Sequence, residues 1–232
     1  RWHLLLLQSM TKFVNGLLTE AAEAAKAAHD YASFFGIVDA EIALIGQLSN
    51  ARLIDPSLPG IDDYQGYPTS APSSLSRALQ AVTRAQQTGD DSVDRFLESY
   101  DYRNRMFFTF AVVNAVAPYV RSGDIRAEIT QQLRERTGTS AIWGTGVLHL
   151  GPVDRTLARV IQDKSQTAAL LADAIAVADA QHSCIWQVIC RLDLAAATNN
   201  ATWRIEAETL AVTPDLQSLV ATYKPWPALV TS

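Results

Sequence analysis

The sequence predicts an all-α protein, an elongated helical bundle built on two long antiparallel helices with shorter helices around them. Three observations predict it. Apolar and small residues recur at alternating steps of three and four at Leu7, Met10, Val14, Leu17, Ala21, Ala24, Ala28, Tyr31, Phe35, Val38, Ile42 and Ile45, a spacing that lines one face of a helix. A second seam runs through Ile161, Lys164, Ala168, Leu171, Ile175, Ala178, His182, Ile185, Ile189, Leu192 and Ala196, broken in character only by Lys164 and His182. The stretch from Val153 to Thr198 also contains neither glycine nor proline, the residues that most readily end a helix.

The first helix is expected from about Trp2 to Asn50. Gly16, Gly36 and Gly46 each weaken it by about 1 kcal/mol against alanine. The seam keeps its phase across the first two, so one long helix, kinked if anything, is favoured over two collinear ones. Small residues from Ala21 to Ala28 would let a neighbour approach closely. From Ile54 to Ser73 the chain is punctuated by Pro56, Pro59, Gly60, Gly66, Pro68 and Pro72, which predicts a long irregular surface connection.

Ser73 or Ser74 caps a short helix that runs to Gln87, and Gly89 breaks it. Asp90 or Asp91 starts the next, whose second half, Met106 to Val120, is almost wholly apolar and therefore central. Pro118 ends or kinks it near Ala117. Ser122-Gly123-Asp124 opens a helix to about Arg136. The apolar piece Ala141 to Leu150, bracketed by glycines, reads equally as a helix or as paired extended segments. Pro152 suits the first position of the second long helix, which Asn199-Asn200 end. A helix over Thr202 to Leu210 and another from Pro214 to about Tyr223 follow, then an irregular tail. No repeat or low-complexity linker divides the chain, so the whole of 1–232 reads as one domain.

The balance of charge is acidic, −5 over 232 residues, which argues against a dedicated nucleic-acid surface. No apolar run approaches the roughly 20 residues that cross a bilayer. Cys184 and Cys190 would point about 120° apart on one helix and rise about 9 Å, too far for a disulfide. They read as buried free thiols, with a lean to a reducing, cytoplasmic compartment. The triplet Asn200-Ala201-Thr202 is a glycosylation acceptor if the chain is secreted or surface-exposed.

Chemical motifs are few. Asp90-Asp91-Ser92-Val93-Asp94 resembles the aspartate-rich pattern with which terpene cyclases hold magnesium-diphosphate. The second motif such a site needs is absent, because Asn199, Thr202 and Glu206 have the wrong spacing, and helix capping is the favoured reading. Asp179 and His182 stand one turn apart, as in carboxylate-x-x-histidine pairs that reach a metal inside bundles. Only one such pair exists; Glu20, Glu23 and Glu41 are the carboxylates that could extend it. His182 is more simply a core histidine, facing inward between Ala178 and Ile185. His29 and His149 are further haem-ligand candidates without an attachment motif. Tyr64 and Tyr67, beside Pro68, are binding candidates because aromatics on an exposed loop need a partner or a packing role. There is no G-x-S-x-G, P-loop, dinucleotide fingerprint or zinc spacing.

The leading expectation is a non-catalytic helical interaction or assembly protein, a coat, scaffold or surface component, with no cofactor and with a second copy of itself as partner. Continuous helices of about 70 Å would overrun a globule whose radius of gyration is about 17 Å, and the excess would have to be covered. The alternative is a bundle-core enzyme or binding protein that uses a metal, haem or small molecule near His182.

Overall fold

The computed structural model describes residues 1–37, 39–55, 58, 74–104, 107–144, 147–161 and 163–223. They are mostly helical, as expected, with one small hairpin of strands. The two long helices, however, are not there. Where one was expected from Trp2 to Asn50 there are three: α1 (Trp2–Val14), α2 (Leu18–Phe34) and α3 (Ala40–Ile54). Gly16 causes the first break. It takes φ +74°, a region L-residues avoid, and a Cβ there would lie 2.5 Å from the Leu216 side chain. α2 then runs back along α1, with Ser9 Oγ donating to the Ala21 carbonyl at 2.8 Å and Lys12 pairing with Glu20. The face that α2 buries is Leu18, Ala21, Ala22, Ala25, Ala28, His29 and Ala32, so the bulky end of the seam is left outside. Gly46, by contrast, stays inside α3. Its role is close approach, since a Cβ would lie 2.9 Å from Leu148.

α4 (Ser74–Thr88) matches its expected limits. The helix expected from Asp90 to Ala117 is two, α5 (Ser92–Glu98) and α6 (Phe107–Val116), and Pro118 sits in a single 3-10 turn, Ala117–Tyr119. Ser122 caps α7 (Gly123–Arg134) by accepting from the Ile125 N–H. The ambiguous apolar piece is extended: β1 (Ser140–Trp143) pairs antiparallel with β2 (Leu148–Pro152), Ile142 opposite His149 and Trp143 opposite Leu148.

The second long helix is also three: α8 (Val153–Val160), α9 (Lys164–Ala180) and α10 (Cys184–Thr198). Side chains rather than glycine or proline break it. Asp163 Oδ1 accepts from the Ser165 and Gln166 N–H groups at 2.8 and 3.4 Å, starting a helix afresh. His182 takes φ +51°, which ends α9, and Ser183 precedes α10. Asn200 and Thr213 cap α11 (Ala201–Leu210) and α12 (Pro214–Thr222). Among the described residues the longest helices have 17 residues, about 25 Å. Helices of this length fit within a globule of this size and need no second copy to cover them.

Two large cores, with two smaller clusters beside them, organise these elements. One lies among α4 to α8 and the strands, around Val93, Val112, Val116, Ile129, Leu133 and Leu157. The other gathers the closed end of the α1–α2 hairpin onto α10, α11 and α12, around Phe13, Leu18, Ile185, Ile189, Leu192 and Leu216. α10 contributes an inward face of Ile185, Val188, Ile189 and Cys190, all buried. Between the cores, α3 ties itself to β2. Gln47 Nε2 donates to the Leu6 and Val147 carbonyls, and Asn50 Nδ2 donates to the His149 carbonyl. Both cysteines are unpaired thiols. Among the described residues no helix is long and apolar enough to cross a membrane.

Candidate functional site

Asp179 and His182 stay one turn apart, the His182 N–H donating to the Asp179 carbonyl at 3.1 Å, but the Asp179 carboxylate is engaged elsewhere. Asp179, near the end of α9, gives both carboxylate oxygens to Arg191, at 3.0 and 2.8 Å. Arg191 also donates to Glu206. That ion pair holds the Asp179 carboxyl below its usual range by hydrogen bonding, against a smaller opposing effect of burial. His182 is not in the core. It is exposed, in the left-handed turn after α9. Tyr64 and Tyr67 lie outside the described residues. Among the described residues, no three of the His, Cys, Asp and Glu side chains gather closely enough to hold a metal ion. The aspartates of 90–94 are otherwise engaged: Asp90 accepts from the Ser92 N–H, Asp91 pairs with Arg95, and Asp94 accepts from the Arg121 and Ser122 N–H groups.

Two of the described histidines are buried, His29 on α2 and His149 on β2. The Gly151 N–H donates to His149 Nδ1 at 3.3 Å, so Nε2 carries the proton and donates to Gln181 Oε1 at 3.1 Å. Ser140 Oγ donates to the same oxygen at 2.7 Å. Burial lowers the His149 pKa and outweighs the Gln181 hydrogen bond.

The largest concentration of polar chemistry lies elsewhere, where α8 meets α10 and the end of α12. Asp193, on α10, accepts from Arg155 Nε at 2.7 Å, from Arg159 Nη2 at 3.2 Å and from the Tyr223 hydroxyl. Arg155 and Arg159 are one helical turn apart on α8, so both guanidiniums reach the same carboxylate. All three charges are well buried: the side chains are 12%, 15% and 6% exposed for Arg155, Arg159 and Asp193. Burial alone would raise the Asp193 pKa; the two guanidiniums overcome it and the net shift is downward. Burial, reinforced by the carboxylate, raises the Tyr223 pKa. The Arg155 guanidinium also sits 5.3 Å from the Trp186 ring centroid, a cation–π contact.

This cluster forms one wall of a cleft of about 790 Å³. α3, α4, α6, the turn at Pro118, α8, α10 and α12 all contribute to its lining. The lining also includes Tyr119, whose hydroxyl accepts from Gln86 Nε2 at 2.6 Å, and Asn114. Burial pushes the Tyr119 phenol up to about 12. Trp186 Nε1 and Asn114 Oδ1 are buried and find no hydrogen-bond partner among the described residues.

A second exposed feature closes the far end of the α1–α2 hairpin. Phe34 and Phe35 are 85% and 59% exposed and meet edge to face with centroids 5.1 Å apart. Phe35 packs on Tyr31 at 4.8 Å, and the Arg1 guanidinium lies 5.5 Å from the Tyr31 ring.

The arginine cluster leaves one signal in the sequence: Asp193, an acid set inside the otherwise apolar face of Ile185, Val188, Ile189 and Leu192. A buried acid needs a cation, and Arg155-x-x-x-Arg159 is a pair of cations one turn apart. Comparison of the chain with protein-family models, with curated proteins and with solved structures finds no match.

Proposed function

We propose that the protein is a non-catalytic helical assembly protein, of scaffold or coat type, that associates with copies of itself through the face carrying Tyr31, Phe34 and Phe35. The observation that supports this reading is the exposed pair Phe34 and Phe35. Leaving these rings in water forgoes roughly 2–4 kcal/mol of transfer free energy, scaling the value for a fully buried phenylalanine by their exposure. Neighbouring aromatics braced against one another lose little entropy on binding and are the residue type that anchors interfaces. Leu4 and Leu7 on α1 add exposed apolar surface to the same hairpin, and Arg1 supplies a charged rim.

Sedimentation velocity across the micromolar range tests the reading. The wild-type chain is expected to form a discrete oligomer at tens of micromolar, and the double variant Phe34→Ser/Phe35→Ser to remain monomeric with unchanged helical content. Both side chains are exposed over more than half of their surface, so their loss is expected to leave the fold intact. A wild-type chain that stays monomeric throughout removes the reading. The alternative, a metal, haem or small molecule at His182, gains no support: the side chain is exposed at a turn and does not line the cleft.

A further inference from the structure

We propose that the cleft walled by Arg155 and Arg159 is a binding site for an organic anion, a planar apolar body bearing a carboxylate or phosphate group. This goes beyond self-association and uses other elements of the fold. Three features point to it. First, its volume of about 790 Å³ falls within the range of small-molecule sites, roughly 300–1,000 Å³.

Second, the lining is cationic. Arg121, Arg155 and Arg159 line the cleft, against Asp55 alone among the acids of the described lining. Asp193 lies behind the wall and fixes both α8 guanidiniums in position. It engages Arg155 through Nε, so the terminal Nη nitrogens stay outside that bond. Guanidiniums held in place on a low-dielectric wall suit a planar oxyanion better than mobile surface lysines would. The single Asp193 carboxylate thus positions both arginines while offsetting only one of their two positive charges, and the wall stays cationic.

Third, two polar atoms on the lining await partners. Trp186 and Asn114 are each 3% exposed, and Trp186 Nε1 and Asn114 Oδ1 make no hydrogen bond among the described residues. A buried donor or acceptor left so is costly, and a native structure that keeps two in one cleft needs a reason. A ligand with both a donor and an acceptor supplies it. The indole of Trp186 with Tyr119, Leu150 and Ile189 provides the apolar walls for its body.

The test uses two fluorescent probes with nearly the same aromatic body, one anionic, 1-anilinonaphthalene-8-sulfonate, and one neutral, N-phenyl-1-naphthylamine, each titrated into the full chain. The sulfonate is expected to bind one per chain and more tightly than the neutral probe. Ser218→Trp, at an exposed position on the cleft wall, is expected to block it. Arg159→Gln should weaken the sulfonate by about tenfold or more and leave the neutral probe within about twofold. In the wild-type chain, which needs no variant to fold, benzoate or phenyl phosphate should displace the sulfonate; whichever does so at lower concentration names the group. Absence of sulfonate binding, indifference to both competitors, or equal affinity for the two probes overturns the proposal. Binding that survives Ser218→Trp but disappears in Phe34→Ser/Phe35→Ser also overturns it, by placing the probe on the exposed aromatic face. Self-association is read separately by sedimentation, so either inference can fail alone.

Discussion

Replacing Asp193 by asparagine should be among the most damaging single changes in the molecule. The carboxylate is 6% exposed and balances two guanidiniums that are 12% and 15% exposed. Asparagine keeps the shape and removes the charge, so both cations remain in the wall without the anion that offset their desolvation. Breaking a buried pair from one side costs about 3–5 kcal/mol, a large part of a total stability of roughly 5–15 kcal/mol. With a urea slope near 3 kcal/mol/M, the unfolding midpoint should fall by about 1–2 M at pH 7. Far-ultraviolet circular dichroism in urea measures it. The pH dependence follows from the depressed Asp193 pKa. Above the unfolded-state value of about 3.9 the pair contributes in full, and the contribution is lost as pH falls through the folded value. The gap between wild type and variant should therefore be flat from pH 7 to about 4 and close below that. A midpoint within about 0.3 M of wild type at pH 7 would falsify the claim that this cluster holds α8, α10 and the end of α12 together.

Two further outcomes are expected. His149 has a folded-state pKa depressed by burial, so the unfolded chain takes up a proton first and stability is lost as pH falls below about 6.5. His149→Gln should remove that loss, and a wild-type urea midpoint that tracks the variant's between pH 7 and 5 would show that the ring is not desolvated. His182 is exposed at φ +51°, where an L-residue costs about 1–2 kcal/mol and glycine loses only part of that to entropy, so His182→Gly should gain about 0.5–1 kcal/mol. Calorimetry should show the melting temperature rising by about 1–4 °C; a fall would mean that the imidazole makes a contact that matters.

The helices that could be read from the sequence are those whose ends are written in local chemistry. Ser122 and Pro214 mark starts, and Pro118 and Asn199-Asn200 mark stops, within a residue or two of where the structure has them. The breaks within the two long seams are not legible, because periodicity reports which residues are buried and not the direction of the chain. α1 and α2 lie antiparallel, and apolar spacing that happened to continue through Gly16 looked like one face. In the second seam the interruptions carry no glycine or proline. Asp163 competes for the backbone N–H groups ahead of it, and His182 accepts a strained φ so that α10 can turn inward. With the helix broken there, the one-turn spacing of Asp179 and His182 lost its meaning. The arginine cluster was illegible for another reason. Arg155 and Asp193 are separated by two turns of chain and a whole helix, and only tertiary packing brings them to 2.7 Å.

The seat of Gly16 against Leu216 has a consequence for how the chain comes to be folded. Thr213 Oγ1 donates to the Gly16 carbonyl at 2.7 Å, and the Thr19 N–H and hydroxyl both donate to Asp215, across 196 residues of chain. Phe13, Leu18 and Ala21 share their core with Leu216, Leu219 and Val220. During synthesis at about 5–20 residues per second, the first hairpin therefore waits roughly 10–40 s for the helix that covers it. Contacts of such long range also slow folding from the free chain. For that interval the closed end of the hairpin presents an apolar surface that α12 will later occupy, so the nascent chain, more than the finished protein, is the species exposed to chaperones and to premature association.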